Sequence, residues 1–267
     1  MAKSRKSAGH QARKRFGQNF LSDDAVIARI VSGINPRHGD RMVEIGPGLG
    51  ALTEHLLDGL DGKLQVVELD RDLIPVLRTK FFNYPDFEIH EADALKFDFN
   101  ALADEEHPLR VVGNLPYNIS TPLIFHLLSN ITHLKDMHFM LQKEVVERMA
   151  AVPGQSLYGR LGIMTQYHCR VQPLFIVGPE AFEPAPKVES AIVRLTPHTE
   201  LPHPVESIDR LQAIVKTAFT KRRKTLRNAL AGVIELEALD ELNIDPGLRP
   251  ENLSLGQYAA LANWKPS

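Results

Sequence analysis

The sequence predicts an α/β fold, a mainly parallel sheet flanked by helices, followed by a small all-α C-terminal domain. Three observations predict it. Short apolar runs alternate with segments of helical spacing as far as residue 195. The first strand and the helix after it are joined by a loop with glycine at alternate positions. Beyond a Pro/His/Thr-rich stretch at 197–204, only helical patterns follow. The implied division is a basic flexible arm at 1–15, a sheet domain at 16–200 and a helical domain at 201–267.

Residues 1–15 lack apolar periodicity. The run Arg15-Phe16-Gly17-Gln18-Asn19-Phe20-Leu21 then leads into Ser22-Asp23, a helix cap, and into Ala25, Ile27, Ile30 and Val31 on one helical face. Two aromatic residues around a Gln and an Asn fit either a short ordered segment over a ligand or a hydrophobic staple on that helix. Met42 to Ile45 is the first strand of the sheet, and Gly46, Gly48 and Gly50 follow it before the helix that starts near Ala51. Strand, glycine loop and helix open a Rossmann-like nucleotide-binding unit, in which a ligand lies against bare backbone. The spacing Gly-x-Gly-x-Gly is one residue short of the dinucleotide fingerprint, and Glu44 adds a negative charge where a diphosphate would be repelled. An acid beside the loop suits a cationic ligand such as S-adenosylmethionine, which carries a sulfonium and an ammonium. A glycine turn that merely joins strand to helix is the competing reading.

Lys63–Asp70 reads as the next strand and ends in acids, with Glu68 placed 18 residues past Gly50 to accept from ribose hydroxyls. Phe87–Glu91 is a third strand with Asp93 just beyond it, and Leu109–Gly113 a fourth that runs into Asn114-Leu115-Pro116-Tyr117. Strand ends of an open parallel sheet face one crevice, so Gly46, Glu68, Asp93 and Asn114 should line it. Capping of the next helix is the alternative role for each acid. Further on, strands are expected at Met137–Leu141, Leu174–Val177 and Ser190–Leu195, and helices at Ser120–Ser129, Glu144–Ala150, Tyr158–Cys169, Ile208–Phe219, Lys224–Ala231, Leu236–Leu242 and Leu255–Trp264.

Composition narrows the function classes. A chain of 267 residues with 43% hydrophobic and 24% charged residues can bury a substantial core. No apolar run reaches the ~18 residues of a membrane helix, and the basic N-terminus lacks the apolar stretch of a signal peptide. A cytoplasmic protein with no membrane partner is expected. Cys169 is the sole cysteine and the eleven histidines show no ligand spacing, so neither a disulfide framework nor a metal is expected. The net charge of −2 conceals two basic blocks: Lys3, Arg5, Lys6, Arg13, Lys14, Arg15, and Lys216, Lys221, Arg222, Arg223, Lys224, Arg227. They hold 12 of the 31 basic residues, leaving 19 against 33 acids. An acidic body with two basic patches fits local grip on a polyanion, and Arg223 and Arg227, four apart, would share a helix face along an RNA backbone.

At Asn114-Leu115-Pro116-Tyr117-Asn118-Ile119-Ser120-Thr121 the sequence resembles the ribosomal RNA adenine dimethyltransferases, in particular the small-subunit enzymes of bacteria. The resemblance runs over nearly the whole chain, through Phe16–Leu21, Glu44–Gly50, Glu68-Leu69-Asp70, Asp93-Ala94, Leu141–Val145, Phe182–Val188 and Arg222–Asn228. It implies an S-adenosylmethionine-dependent methyltransferase sheet that dimethylates two adjacent adenines of small-subunit ribosomal RNA, on an immature subunit; apart from the resemblance, a monomer is expected. It also implies cofactor contacts from Asn19, Leu21, Glu44, Gly46, Gly48, Glu68, Asp93 and Asn114. Asn114, with Leu115, Pro116, Tyr117 and Phe182, would handle the target base, and Arg222, Arg223, Lys224 and Arg227 the RNA. Other readings are an RNA-binding assembly or transcription factor on the same fold, a large-subunit resistance methylase, and a methylase of protein amides.

Overall fold

The computed structural model describes residues 19–116 and 118–266. The expected basic arm, Phe16 to Gln18 and Tyr117 lie outside them. The elements are β1 (Phe20–Leu21), α1 (Asp24–Ile34), β2 (Arg41–Ile45), α2 (Ala51–Gly59), β3 (Leu64–Glu68), α3 (Leu73–Lys80), β4 (Phe87–Glu91), β5 (Leu109–Asn114), α4 (Ser120–Asn130), β6 (Leu134–Gln142), α5 (Lys143–Ala150), α6 (Arg160–His168), β7 (Cys169–Val177), β8 (Phe182–Glu183), β9 (Ser190–Pro197), α7 (Ile208–Thr220), α8 (Leu226–Ala229), α9 (Leu236–Glu241) and α10 (Leu255–Asn263). No described helix is long and apolar enough to cross a membrane.

Seven strands form one sheet in the order β4-β3-β2-β5-β6-β9-β7, and β1 pairs with β8 in a separate ribbon. From β4 to β6 every adjacent pair is parallel. Strands covered on both faces are mainly apolar, and β2 and β5 are buried over most of their length, with Glu44 and Arg110 as the charged exceptions. The chain builds outward from β2 to β3 and β4, then returns to the other side of β2 with β5 and β6. The order therefore reverses between β2 and β5, and the crevice outside their C-terminal ends is where such folds hold a ligand. Gly113, next to the end of β5, pairs with Ile45. A Cβ there would lie 2.5 Å from the Ile45 carbonyl oxygen, so only glycine lets the two strand ends approach.

The opposite end of the sheet is held by a buried charge. Arg110 on β5 donates to Asp136 on β6 through Nε at 2.9 Å, to Asp40 ahead of β2 at 2.7 Å, and to the carbonyls of Ile34 and Asn35 where α1 ends. Burial opposes the charge on Asp40, but hydrogen bonds from Lys135 and Arg110 outweigh it and hold the carboxyl below the usual range. One guanidinium thus joins three elements, each of its partners satisfied.

The chain packs as two compact units, the first of residues up to 143 with 174–194, the second of residues 144–173 with 195–267. In the second unit the hydroxyls of Tyr158 and Tyr258 donate to the carbonyls of Leu253 and Pro250 at 2.9 and 2.8 Å, and Phe219 lies 6.2 Å from both rings. These are buried aromatics with their polar ends paired. Several expected boundaries move. The helix expected from Tyr158 begins at Arg160, while Tyr158 itself joins that aromatic core; it ends at His168, so the next strand starts at Cys169 instead of Leu174. The helix expected over Lys224–Ala231 shrinks to Leu226–Ala229, because the amides of Leu226 and Arg227 donate to Leu248 and Pro246. Residues 221–224 form a turn, so Arg223 and Arg227 do not share a helix face.

Gly113→Ala is expected to lower stability by roughly 1–3 kcal/mol, the cost of overpacking against backbone that cannot yield. Urea unfolding of the variant reads this directly; an unchanged midpoint would show that β2 and β5 have slack.

Candidate active site

Gly46, Gly48 and Gly50 all adopt positive φ, +67°, +60° and +76°. That region is disfavoured for residues with a Cβ, which explains why the loop is glycine at these points. The Gly46 amide donates to the Val67 carbonyl at 3.0 Å and binds the loop to β3, while the Gly50 amide closes the turn on Pro47 at 2.9 Å. Among the described residues a Cβ on Gly46 would meet only the Asn114 carbonyl oxygen, at an ordinary contact distance of 3.8 Å, so this backbone is not packed over by them. One on Gly48 would crowd the Phe20 ring at 3.1 Å.

Three acids surround the loop, each in a different state. Glu44 is 2% exposed, and its Oε2 accepts from the buried Thr53 hydroxyl at 2.6 Å. Burial raises its pKa to about 7, aided by the charge of Glu68 and opposed by Thr53 and Lys80. The side chain therefore supports the loop from behind. Glu68, 6% exposed, accepts from the Asp70 amide at 2.8 Å and, more weakly, from the Gly48 amide at 3.4 Å. Burial also raises its pKa, against those amides. Both carboxylate oxygens keep lone pairs for a further donor. The Ala92 amide donates to the Glu68 carbonyl at 3.1 Å, which sets half-buried Asp93 beside it. Asp93 Oδ1 caps the Leu95 amide at 3.0 Å, so one oxygen has the capping role that its position allowed.

Asn114 ends β5 opposite the glycine loop. Its Nδ2 donates to the Asn19 carbonyl at 3.1 Å, which fixes the amide so that Oδ1 is the acceptor end. No described residue donates to that oxygen. Leu115 is buried and its amide donates to Met140 at 3.2 Å, anchoring the start of the Asn-Leu-Pro turn to β6. Pro116 is half-buried, and its carbonyl receives the amides of Ile119 and Ser120 at the start of α4.

Asn19 is held by the two-stranded ribbon, in which Phe20 pairs with Glu183 and Leu21 with Phe182. The Ser22 amide adds a bond to Ala181 at 2.9 Å. Of the two readings open for this segment, its order is seen in the pairing with β8, while Leu21 also packs with Ile27 of α1. Phe182 is 5% exposed and packs in one cluster with Leu21, Ile27 and Ile30, so in this state its ring offers almost no face to a base.

The first unit thus gathers Asn19, Leu21, Glu44, Gly46, Gly48, Glu68, Asp93, Asn114, Leu115, Pro116 and Phe182. Arg222, Arg223, Lys224 and Arg227 belong to the second unit, where Arg222 lies 3.5 Å from Glu251. Two contributors escape a reading of motifs, and a third, Phe20, is legible only as an aromatic of the strap. Thr53 holds Glu44; it sits one helical turn past Gly50, a faint signal. Phe20 covers Gly48. Lys80 donates to the loop carbonyls of Leu49 and Gly50 from 30 residues away, with no signal in the sequence.

The chain's similarities agree with this geometry. A family model described as ribosomal RNA adenine dimethylase matches residues 9–266. A ribosomal RNA small subunit methyltransferase A from Marinobacter nauticus is 68% identical over 96% of this chain and 92% of its own. One of the same name from Pseudomonas aeruginosa is 59% identical over 95% and 94%. Among solved structures, a dimethyladenosine transferase from Plasmodium falciparum superposes with TM-score 0.78 at 28% identity, covering 91% of this chain and 95% of that one. The 23S rRNA methyltransferase ErmE superposes at 0.70 with 27% identity, over 91% and 98%.

The buried Glu44 makes stability depend on pH in a defined direction. Its pKa rises from 4.5 to about 7 on folding, so between those values the folded protein retains a proton that the unfolded chain has released. The stabilisation is complete below the lower value and is lost as pH rises through the upper one. Glu44→Gln, which keeps an acceptor for Thr53, should therefore be more stable than the parent at pH 8 and no more stable at pH 4.5 or below. Chemical denaturation without ligand across this range checks it; parallel curves for the two proteins would remove Glu44 as the source.

Proposed function

The chain belongs to the ribosomal RNA adenine dimethylase family, and on that premise we propose that it methylates the exocyclic amine of adenines in small-subunit ribosomal RNA. S-adenosylmethionine is the donor. The reading extends to dimethylation of two adjacent adenines on an immature small subunit, by a monomer in the cytoplasm. The observation that carries it is the Asn114 amide at the point where the strand order reverses: its nitrogen is taken up by the Asn19 carbonyl, which leaves the oxygen as the acceptor.

The fit of the donor rests on the loop and the acids. Bare backbone at Gly46 admits the amino-acid end of the molecule, Glu68 has lone pairs for the ribose hydroxyls, and Asp93 has an oxygen for the adenine amine. Asn19 and Leu21 close the crevice from the strap. When bound, S-adenosylmethionine supplies a methyl group on a positively charged sulfur. The surrounding residues must make a weak nucleophile attack it. Adenine's amine lone pair is delocalised into the ring. Acceptors at Asn114 Oδ1 and the Leu115 carbonyl would hold the amine hydrogens and favour a pyramidal nitrogen whose lone pair points at the methyl. A carbon–nitrogen bond forms as the carbon–sulfur bond breaks, and the amine, now acidic, loses a proton to water. Most of the acceleration comes from holding two reactants in line. Tyr117 offers a flat face for a base drawn out of its stack. Phe182 serves that base only if its ring leaves the cluster with Leu21.

A large-subunit target is the nearest rival, since ErmE shares the fold. The relatives at 59–68% identity, named for the small subunit, favour small-subunit RNA. Leucine at position 115 and the two basic blocks argue against a protein amide as substrate. Labelled S-adenosylmethionine offered with naked small-subunit RNA, immature subunits or large-subunit RNA separates these cases. Transfer to none of them would leave a binding factor on a methyltransferase fold.

Asn114→Ala should bind cofactor and RNA nearly as the parent does while methyl transfer drops by at least about a hundredfold, given the rate that positioning contributes. Single-turnover assays at saturating substrates measure this, and a near-normal rate would refute the role of the amide.

For the second unit, Arg222, Arg223, Lys224 and Arg227 are proposed to bind phosphates. Arg223, Lys224 and Arg227 form no ion pair with any described residue. Neutralising Arg222, Arg223 and Lys224 together should weaken RNA binding and flatten its salt dependence by about 0.7–0.9 in log–log slope for each phosphate released. Cofactor affinity should not change. An unaltered slope would move the RNA-binding surface elsewhere.

A further inference from the structure

We infer that Lys80 is a positioning residue for the methyl-transfer reaction, acting on the cofactor through the glycine loop. This rests on the reading of that loop as the cofactor's seat. Lys80 ends α3, and its Nζ donates to the carbonyls of Gly50 at 3.1 Å and Leu49 at 3.4 Å. The same ammonium pairs with Glu54 Oε2 at 3.1 Å, on the first turn of α2. Its side chain is 35% exposed and lies 5.1 Å from the Phe81 ring.

The loop needs such a clamp for a physical reason. Three positive-φ glycines within five residues leave a backbone with many accessible conformations, which must be restricted before a ligand can lie on it. Gly46 is restrained by Val67, and Gly48 only by a long bond to Glu68. At the far end the first helical bond of α2, from Glu54 to the Gly50 carbonyl, is stretched to 3.4 Å. Lys80 supplies what that carbonyl lacks. Because each peptide unit is planar, holding the Leu49 and Gly50 carbonyls toward α3 fixes the planes on both sides of Gly50. The Gly50 amide then meets Pro47, and the turn carrying Gly46 and Gly48 closes. Lys80 also brings a positive charge toward Glu44, tempering the negative potential behind the loop. It touches neither reacting group; its effect on the reaction passes through the backbone.

The test compares Lys80→Met and Lys80→Arg with Glu68→Ala as a control, measuring S-adenosylmethionine affinity by calorimetry and steady-state constants for both substrates. Lys80→Met should weaken cofactor binding roughly tenfold, as loss of charge-assisted hydrogen bonds implies. The KM for S-adenosylmethionine should rise accordingly, with kcat and the KM for RNA within about twofold of the parent. Lys80→Arg, which can still reach both carbonyls, should recover most of the affinity. A general structural defect would lower kcat and RNA affinity as well and would not be rescued in this pattern. Weak binding in Glu68→Ala beside parental binding in Lys80→Met would overturn the role of Lys80 alone. Parental binding in both would overturn the placement of the cofactor too. Lys80→Gln serves as the neutral variant should the methionine protein fail to fold, and parental affinity in it overturns the inference equally.

Discussion

The approach of β5 to β2 at Gly113 governs where the chemistry sits. Room for no more than a hydrogen atom lies between that α-carbon and the Ile45 carbonyl, so the strand ends meet at the point where the order of strands reverses. Every later feature of the crevice follows from this. Gly46 emerges beside Asn114, the glycine loop hangs between β2 and α2, and β3 delivers Glu68 alongside. The buried Arg110 cluster at the other end of the sheet keeps β5 and β6 in place with the segments that precede β2. A packed sheet with a glycine rim of bare backbone is the result, and the rim is where a small ligand can be bound without displacing packed side chains.

The electrostatics of that rim complement a cation. Glu44 and Glu68 are both nearly buried, which raises the pKa of each; the charge of Glu68 further disfavours ionisation of Glu44, and that of Asp70 does the same for Glu68. Without ligand they form a site that is unfavourable for two full negative charges. A sulfonium and an ammonium relieve this, which a diphosphate would not. The same acids explain why a shortened glycine spacing goes with a methyl donor instead of a dinucleotide. Asn114 is neutral, and a neutral acceptor suits a nucleophile that must keep its hydrogens oriented without being deprotonated beforehand.

Motif and periodicity identified much of this at a distance. The short, mainly apolar runs of β2, β3 and β5 fit strands covered on both faces, and the polar residues at their ends fell where a common crevice requires them. Glu68 and Asp93 are legible by this logic, although Asp93 also caps the turn that follows it. The tyrosine pair that anchors α6 and α10 was not legible, nor was the break before α8. Both depend on carbonyls from segments remote in the chain. Helical spacing around Arg223 and Arg227 is a local pattern; the bonds from Leu226 and Arg227 to residues 246–248 override it.

The sequence by itself determined the class of the sheet, the alternation of strands and helices along the chain, the glycine loop and the set of polar residues at the rim. These are local matters of chain stiffness, periodicity and the tolerance of glycine for positive φ. Tertiary structure alone decided which end of the Asn114 amide is engaged, since the carbonyl that takes its nitrogen lies at Asn19, on a strap held by residues 181–183. It alone buried Phe182 with Leu21, and it alone brought Lys80 to the loop. Such contacts join residues that no spacing relates, because they depend on where helices and strands meet once the core has packed.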